Sequence, residues 1–314
     1  MCSLFGLIDY KGMFNSKEKN AILSVLSIEC EARGIDATGV AYNANGRLCV
    51  YKRPLPAHKL RLNIPSHAKF IMGHTRLTTQ GSEKQNRNNH PFQGTVQSGR
   101  FALAHNGVLY NDAQLRKKES LPQTKIQTES FVAVQLLEKE NALNFGSLKQ
   151  MAEKVEGSFT FTVLDRQNNL YVVRGSSPFA LCHFAAGFYL YASTDEILAK
   201  TMAKLGINDW QKESVLLSPG DILKIDSRGK IKRGNFDSID EYDYWLYQRS
   251  FVHGKRRGAS KSSSYVQDLK SVAQYCGVCP DDVDYLLADG FSCDEIEEML
   301  YMPNYSKDAS ELVY

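Results

Sequence analysis

The second residue of the chain, Cys2, combines two groups that can act together in catalysis. Removal of Met1, which is common when a small residue follows, would leave this cysteine with a free α-amine beside its thiol. An α-amine has a pKa of about 8 and can accept the thiol proton directly or through water. Taken alone, however, a cysteine at this position is more often an ordinary residue of a frayed terminus.

A polar segment, residues 73–81, follows a short apolar stretch that is typical of a buried strand. Its Arg76 has a planar guanidinium group that suits a carboxylate ligand, and Thr79 adds a hydroxyl group. His90 follows in the sequence Asn-His-Pro. A surface turn with a solvated arginine and an ordinary histidine is the alternative interpretation of both segments.

A second apolar stretch ends in the sequence His-Asn-Gly at residues 105–107. The Asn106 side-chain amide and the Gly107 backbone N–H could stabilise an oxyanion, because glycine lets the backbone approach a reacting carbonyl. In isolation Asn-Gly is more often a simple hairpin turn.

Residues 1–236 alternate between helical and strand patterns without a strict βαβ order, which favours antiparallel sheets with helices on their faces. Asn45-Gly46 predicts a hairpin, and Asn15 is a candidate helix cap. The helical patterns cover residues 17–33, 128–140 and 147–156. The later strand patterns cover residues 158–165, 170–174, 188–192 and 221–226.

The composition changes after residue 236. Residues 237–264 are first aromatic and then basic and rich in serine, which is typical of a linker, and residues 265–301 return to helical periodicity. We therefore expect a main domain over residues 2–236, a linker over 237–264 and a small helical segment over 265–314. The pair Cys276 and Cys279 lacks the second ligand pair of a zinc site, so no metal and no cofactor are expected.

The bulk composition excludes several classes of protein. The 314 residues carry a formal net charge of only +3, which gives no reason to expect nucleic acid as a partner. No apolar run approaches the length of a membrane span, and no signal peptide is recognisable. Seven scattered cysteines suit free thiols in a reducing compartment. We therefore expect a cytoplasmic protein without a membrane partner.

Taken together, the motifs resemble class II glutamine amidotransferases, and most of all the glutaminase domain of glucosamine-6-phosphate synthase. Five segments share the order and approximate spacing of that family, and weaker matches extend to about residue 226. The five segments are residues 1–6, 33–41, 73–81, 89–91 and 105–107. Five ordered motifs are far more specific than any of them alone.

The resemblance implies the fold of the N-terminal-nucleophile (Ntn) hydrolases: an α+β, four-layer αββα sandwich of two mostly antiparallel sheets, here with a small helical C-terminal appendage. It also implies hydrolysis of the side-chain amide of L-glutamine. Cys2 would attack that amide and form a γ-glutamyl thioester, its own α-amine would carry the proton, and Asn106 and Gly107 would hold the oxyanion.

The resemblance also implies a substrate pocket in which Arg76 binds the α-carboxylate and Thr79 and His90 line the same wall. One departure concerns Gln127, which occupies a position where the family usually has an acidic residue that binds the substrate's α-ammonium group. A neutral amide accepts a hydrogen bond but supplies no charge. Ser3 replaces a glycine after the nucleophile. These changes affect substrate identity more than reaction type.

Only about 80 residues follow the glutaminase-like part, which is too few for an ammonia-consuming synthase domain. The expected partners are L-glutamine or a related amide and a separate ammonia-accepting synthase subunit. Two alternatives stay open. One is a non-catalytic binding or regulatory protein on the same scaffold, and the other is an Ntn hydrolase of another amide.

Overall fold

The structure is a computed structural model that describes residues 2–237 and, beyond them, residues 266, 269–270, 273–274, 278–288, 291, 293, 296 and 300. The chain divides into two compact units, Met1–Glu241 and Tyr242–Tyr314. Nearly all of the predicted linker and Cys276 lie outside the described residues.

Thirteen strands are described in the first unit. They are β1 (Ser3–Ile8), β2 (Ala37–Ala44), β3 (Arg47–Arg53), β4 (Phe70–Arg76), β5 (Phe92–Val96), β6 (Gly99–Leu109), β7 (Gly157–Asp165), β8 (Leu170–Arg174), β9 (Ala180–Phe184), β10 (Phe188–Ala192), β11 (Lys212–Ser214), β12 (Asp221–Ile225) and β13 (Ile231–Asn235). The described α-helices of this unit are α1 (Ser16–Glu29), α2 (Asp112–Lys118), α3 (Phe131–Glu140), α4 (Phe145–Lys154) and α5 (Asp195–Leu205).

The strands form two sheets in which every pairing is antiparallel. The order in the seven-stranded sheet is β11-β9-β10-β1-β4-β2-β3, and the order in the six-stranded sheet is β13-β12-β8-β7-β6-β5. Both β1 and β4 are interior strands of the larger sheet, and β6 and β7 are interior strands of the smaller one. The site residues predicted at the ends of β1, β4 and β6 therefore lie on strands that are hydrogen-bonded to a neighbouring strand on each side.

Local sequence signals account for two of these elements. Asn15 caps α1: its side chain accepts from the Glu18 N–H at 3.0 Å, and the Glu18 carboxylate accepts from the Asn15 N–H at 2.8 Å. Asn45 and Gly46, with φ of 51° and 70°, form the turn between β2 and β3. Both φ values are positive, which favours asparagine and glycine in a two-residue hairpin. The cap and the hairpin predicted from the sequence are confirmed.

Three apolar clusters separate the layers. The first packs α1 and α5 against the larger sheet, for example through Leu26 and Ile197. The second lies between the sheets and includes Leu4 and Ala104. The third packs α3 and α4 against the smaller sheet, for example through Leu136. The layers are helix, sheet, sheet and helix, which confirms the predicted αββα sandwich.

Some elements differ from the patterns in the sequence. The helix predicted from residue 128 begins at Phe131, because the Thr128 hydroxyl donates to the Asn88 carbonyl oxygen at 2.8 Å and holds the preceding segment in a loop. The helix predicted to residue 33 ends at Glu29 and continues as a short 3₁₀ turn. Strands β5, β9 and β13 and helix α5 were not predicted as separate elements.

The second unit contains helix α6 (Pro280–Ala288) and a small apolar cluster. Its described buried members are Leu269, Ala273, Val278, Val283, Cys293, Ile296 and Leu300. Within the residues that the structure describes, no helix combines the length and the apolar composition that crossing a membrane requires.

Candidate active site at the end of the central strands

The register of β1 and β4 brings Cys2 to Arg76. Ser3 pairs with Thr75 in this antiparallel ladder, so the next pair along the same register is Cys2 and Arg76. The Cys2 thiol donates to the carbonyl oxygen of Leu77, with Sγ and O 3.4 Å apart. Two predicted site residues that are separated by 74 positions in the sequence are therefore neighbours.

The surroundings of the thiol favour its protonated form. Burial raises the pKa of Cys2, and the charge of Glu129 acts in the same direction, while the charge of Arg76 acts to lower that pKa. The Arg33 side chain donates from Nε to the Cys2 carbonyl oxygen at 3.0 Å and holds the backbone in place. A thiol in this environment needs a base before it can act as a nucleophile.

Arg76 is a buried cation whose hydrogen-bond partners are neutral. The side chain is 2% exposed, and Nη1 donates to Asn89 Oδ1 at 2.7 Å. Nη2 donates to the carbonyl oxygens of Gln80 and Gly81 and, at 3.5 Å, to the Thr128 hydroxyl. Burial lowers the pKa of Arg76. These bonds fix the guanidinium group at the end of β4 without a hydrogen-bonded carboxylate to balance its charge.

Gln127 is an exposed side chain beside this loop. Its Oε1 accepts from Asn88 Nδ2 at 3.0 Å, and its backbone N–H donates to Asn88 Oδ1 at 3.0 Å. Gly81 has a φ of 71°, and a Cβ at that position would lie 2.9 Å from the Gln127 Cβ. Gln127 is thus bound to the same loop as Arg76, while Thr79 is exposed.

The predicted oxyanion residues lie near the end of β6. Asn106 is fully buried, its Nδ2 donates to the Pro178 carbonyl oxygen over a long 3.4 Å, and its Oδ1 has no hydrogen-bond partner. Gly107 has a φ of 134°, and a Cβ there would collide with the Ser158 carbonyl group. The backbone at this position therefore requires glycine.

Three buried histidines lie between the two strand ends. Burial lowers the pKa of His74 and that of His105 to about 3, and lowers the pKa of His90 well below its ordinary value. The ring centroids of His74 and His90 are 4.2 Å apart, and those of His90 and Phe92 are 4.3 Å apart. Neither ring nitrogen of His90 has a hydrogen-bond partner. His90 thus lies among aromatic rings, and its role in a pocket wall stays a prediction.

A hydrogen bond joins the two sheets close to the candidate residues. His74 Nε2 lies 2.9 Å from the His105 carbonyl oxygen. His74 pairs with Leu4, two residues from Cys2, and His105 directly precedes Asn106. The larger and smaller sheets are therefore connected at the level where the thiol and the amide reside.

Sequence reasoning missed Glu129. Its side chain is buried, with 3% of the residue exposed, and its backbone N–H donates to Gln80 Oε1 at 3.1 Å. Its burial depends on contacts with residues about fifty positions away, which local patterns do not show.

The described part of the chain contains no group of three or more His, Cys, Asp or Glu side chains placed to hold a metal ion. Of the cysteines in the C-terminal region, Cys279 is exposed and Cys293 is buried, and both are free thiols.

Comparison with known proteins identifies the family of this chain. The chain resembles the structure of glutamine phosphoribosylpyrophosphate amidotransferase from B. subtilis complexed with ADP and GMP, with a TM-score of 0.60 and 19% identity over 75% of this chain and 49% of that one. This likeness shows the fold alone. A family described as "Glutamine amidotransferase domain" matches residues 62–218, half of the chain. The protein belongs to this family, and the resemblance to class II glutamine amidotransferases is confirmed.

Curated relatives carry the name glutamine–fructose-6-phosphate aminotransferase [isomerizing]. The protein from Lactococcus lactis is 28% identical over 242 residues, which are 74% of this chain and 38% of that protein. The protein from Bacillus licheniformis is 33% identical over 181 residues, 55% of this chain and 29% of its own length. The alignment with the Staphylococcus epidermidis protein, at 26% identity, spans 98% of this chain and 55% of the relative. The chain therefore spans about half or less of the relatives that it matches.

Proposed function

We propose that this protein hydrolyses the side-chain amide of L-glutamine through an N-terminal cysteine. The observation that carries the proposal is the neighbourhood of Cys2 and Arg76 in the β1–β4 register, which puts a nucleophile beside a fixed cation. An amino-acid substrate whose carboxylate is bound by Arg76 would present its side-chain carbonyl to the thiol. Membership in the glutamine amidotransferase domain family supports glutamine as that substrate.

The reaction proceeds in two halves. After removal of Met1, the α-amine of Cys2 accepts the thiol proton and the sulfur attacks the amide carbon, so a C–S bond forms. The Asn106 amide and the Gly107 N–H stabilise the oxyanion. The C–N bond then breaks, and ammonia leaves with the proton from the α-ammonium group. A water molecule, deprotonated by the same amine, cleaves the thioester and releases glutamate.

Three further parts of the proposal concern the surroundings of the reaction. Arg76 binds the substrate carboxylate, and Thr79, His90 and Gln127 complete the pocket. A separate synthase subunit accepts the ammonia. The protein acts in the cytoplasm.

Ammonia release from L-glutamine tests this function. We expect the Cys2→Ala variant to lose this activity completely, because no other group forms the thioester. Cys49→Ala is the matched control, since Cys49 is a half-buried free thiol on edge strand β3, and it should retain full activity. Intact mass of the active protein should show that Met1 is absent.

Equal ammonia release from wild type and Cys2→Ala would overturn the thiol mechanism. An active thiol towards a different amide, with no turnover of glutamine, would favour the Ntn hydrolase of another amide. Retention of Met1 together with complete inactivity would favour the non-catalytic alternative, because a blocked amine cannot serve as the base.

A further inference from the structure

A buried chain of polar contacts runs from Glu129 to the smaller sheet. Ser130 Oγ lies 2.9 Å from Glu129 Oε1 and 2.7 Å from His105 Nδ1. At the other side of the ring, His105 Nε2 lies 3.3 Å from the Ser158 carbonyl oxygen. Glu129, Ser130 and His105 are each at most 3% exposed. These three side chains are therefore shielded from bulk water.

Counting hydrogens decides the protonation of this chain. Each of the three contacts needs one hydrogen between its two atoms. The Ser130 hydroxyl supplies one and a neutral imidazole supplies one, whereas a carboxylate supplies none. An ionised Glu129 beside a neutral His105 would therefore leave one contact without a hydrogen. A third proton completes the chain: Glu129 donates to Ser130, Ser130 donates to His105 Nδ1, and Nε2 donates to Ser158.

The third proton resides on Glu129 and not on His105. A protonated imidazole would create two buried charges, the imidazolium and a carboxylate oxygen 3.9 Å from it, whereas a neutral acid creates none. Burial lowers the pKa of His105 to about 3 and raises the pKa of Glu129. The second oxygen, Glu129 Oε2, is buried and has no hydrogen-bond partner. An ionised carboxylate at this place would lack solvation.

The charges that face Glu129 come from four elements. Arg76 on β4 favours ionisation of Glu129, and Asp112 in α2 opposes it. Glu129 in turn acts on Cys2, at the start of β1, where an ionised form raises the thiol pKa. His105 on β6 is neutral, as described above. Burial raises the pKa of Glu129 more than the positive charge of Arg76 lowers it, so the pKa of Glu129 lies above its ordinary value.

We propose that Glu129 is a positioning residue that stands as a neutral carboxylic acid and so leaves the charge of Arg76 free for a substrate carboxylate. The consequence for substrate binding rests on the proposed function, while the protonation itself does not. The hydrogen-bond partners of Arg76 are all neutral oxygens, and an ionised Glu129 would be a buried carboxylate that competes for its charge. It would also work against the Cys2 thiolate.

Infrared spectroscopy of the full chain tests the protonation directly. A protein labelled with ¹³C-glutamate should show, at neutral pH, the carbonyl stretch of one protonated glutamic acid, shifted from its unlabelled position. Glu129 is the one glutamate among the buried residues of the described chain, so the band is assigned to it. The band should disappear in Glu129→Gln and persist in Glu119→Gln, whose carboxylate pairs with Lys139 and Lys154.

Kinetics test the positioning role. Gln is a neutral isostere whose Nε2–H can replace the acid proton towards Ser130, so Glu129→Gln should keep KM for glutamine within about twofold of wild type at neutral pH. As the pH rises through the pKa of Glu129, KM should rise in wild type and stay constant in Glu129→Gln. A purely structural role would not produce this difference in the KM profile.

Absence of the labelled band in the wild-type protein would overturn the proposal, even if the variants fail to fold. A wild-type KM that rises in parallel with that of Glu129→Gln would overturn the role of Glu129 at Arg76. The two proposals fail separately: a missing band with full glutaminase activity refutes the neutral acid alone, and a present band without ammonia release refutes the proposed function alone.

Discussion

The two strand ends that carry the candidate site differ in how their polar groups are satisfied. At the end of β4, Arg76 donates to several oxygens of its own loop. Near the end of β6, Asn106 makes one long bond through Nδ2 and none through Oδ1. Buried polar groups are nearly always paired, so an unpaired one points to a function. The β4 end thus holds its cation by several hydrogen bonds, whereas the Asn106 amide near the β6 end is held by one long bond and its Nδ2 group can turn to a ligand.

The largest expected effect separates the two ends by activity. Asn106→Ala removes the side-chain donor to the oxyanion and should lower kcat for glutamine hydrolysis by roughly 10²–10³-fold. Because this amide makes only one weak bond in the protein, the free energy of unfolding should change by less than about 1 kcal/mol. Steady-state kinetics and urea unfolding measure the two quantities. A large loss of stability with unchanged kcat would show that the Asn106 amide stabilises the fold and does not act on the substrate.

Arg76→Met, at the β4 end, should lower stability and also weaken the binding of glutamine, because Arg76 is the proposed ligand of the substrate carboxylate. The substitution leaves the buried Asn89 oxygen and the part-buried carbonyl oxygens of Gln80 and Gly81 without their donor, and we expect a loss of about 3 kcal/mol in the free energy of unfolding. Arg87→Met in the same loop is the control, because Arg87 is exposed. Equal unfolding midpoints for the two variants would show that the Arg76 bonds do not stabilise the loop.

The histidines between the two ends predict a loss of stability in acid. Their pKa is about 3 for His74 and His105 in the folded chain but about 6.5 in the unfolded chain, so below pH 6.5 the unfolded state binds more protons. This contribution to the free energy of unfolding is thus fully present above about pH 6.5. Between pH 6.5 and pH 3 it falls by up to about 1.4 kcal/mol per pH unit for each histidine. His90→Phe should reduce the number of protons taken up on unfolding by about one, because the pKa of His90 is also lowered by burial. The substitution breaks no hydrogen bond, since the ring nitrogens of His90 have no partners.

The matched control for this slope is His58→Phe, since the His58 side chain is about half exposed. Urea unfolding at a series of pH values gives the slope. If His90→Phe and His58→Phe change it equally, His90 is not the buried neutral group described here.

The smallest expected effect concerns Gln127. Gln127→Glu would add a negative charge beside the Arg76 loop, and a charge-assisted bond to the α-ammonium group of glutamine should lower KM by about fivefold. Gln97→Glu, on the exposed turn between β5 and β6, controls for net charge. An unchanged KM in Gln127→Glu would mean that this position does not contact the substrate's amine.

Local signals in the sequence predicted much of the scaffold. The Asn15 cap and the Asn45-Gly46 hairpin depend on residues within a few positions of each other, so their patterns are visible in the chain. The ordered motifs identified the family and predicted the two-sheet sandwich. The site residues themselves were chosen through that resemblance, and their roles stay predictions.

Other features depend on distant contacts that a local pattern does not contain. Helix α3 begins late because Thr128 bonds to Asn88, forty residues earlier. The burial of Glu129 and its hydrogen-bonded chain through Ser130 to His105 arise only when α3 packs near β6. A helical period predicts which residues share a face but not which partner covers them.

Strand β1 has β4 on one side and β10 on the other, and both of its faces are covered by apolar clusters. Interior strands of this kind exchange their amide hydrogens only when the whole domain opens. The peptide groups of Ser3–Ile8, immediately after the candidate nucleophile, should therefore belong to the slowest-exchanging set of the protein. A terminus is usually the first part of a chain to fray, and here it is anchored in the last part to unfold.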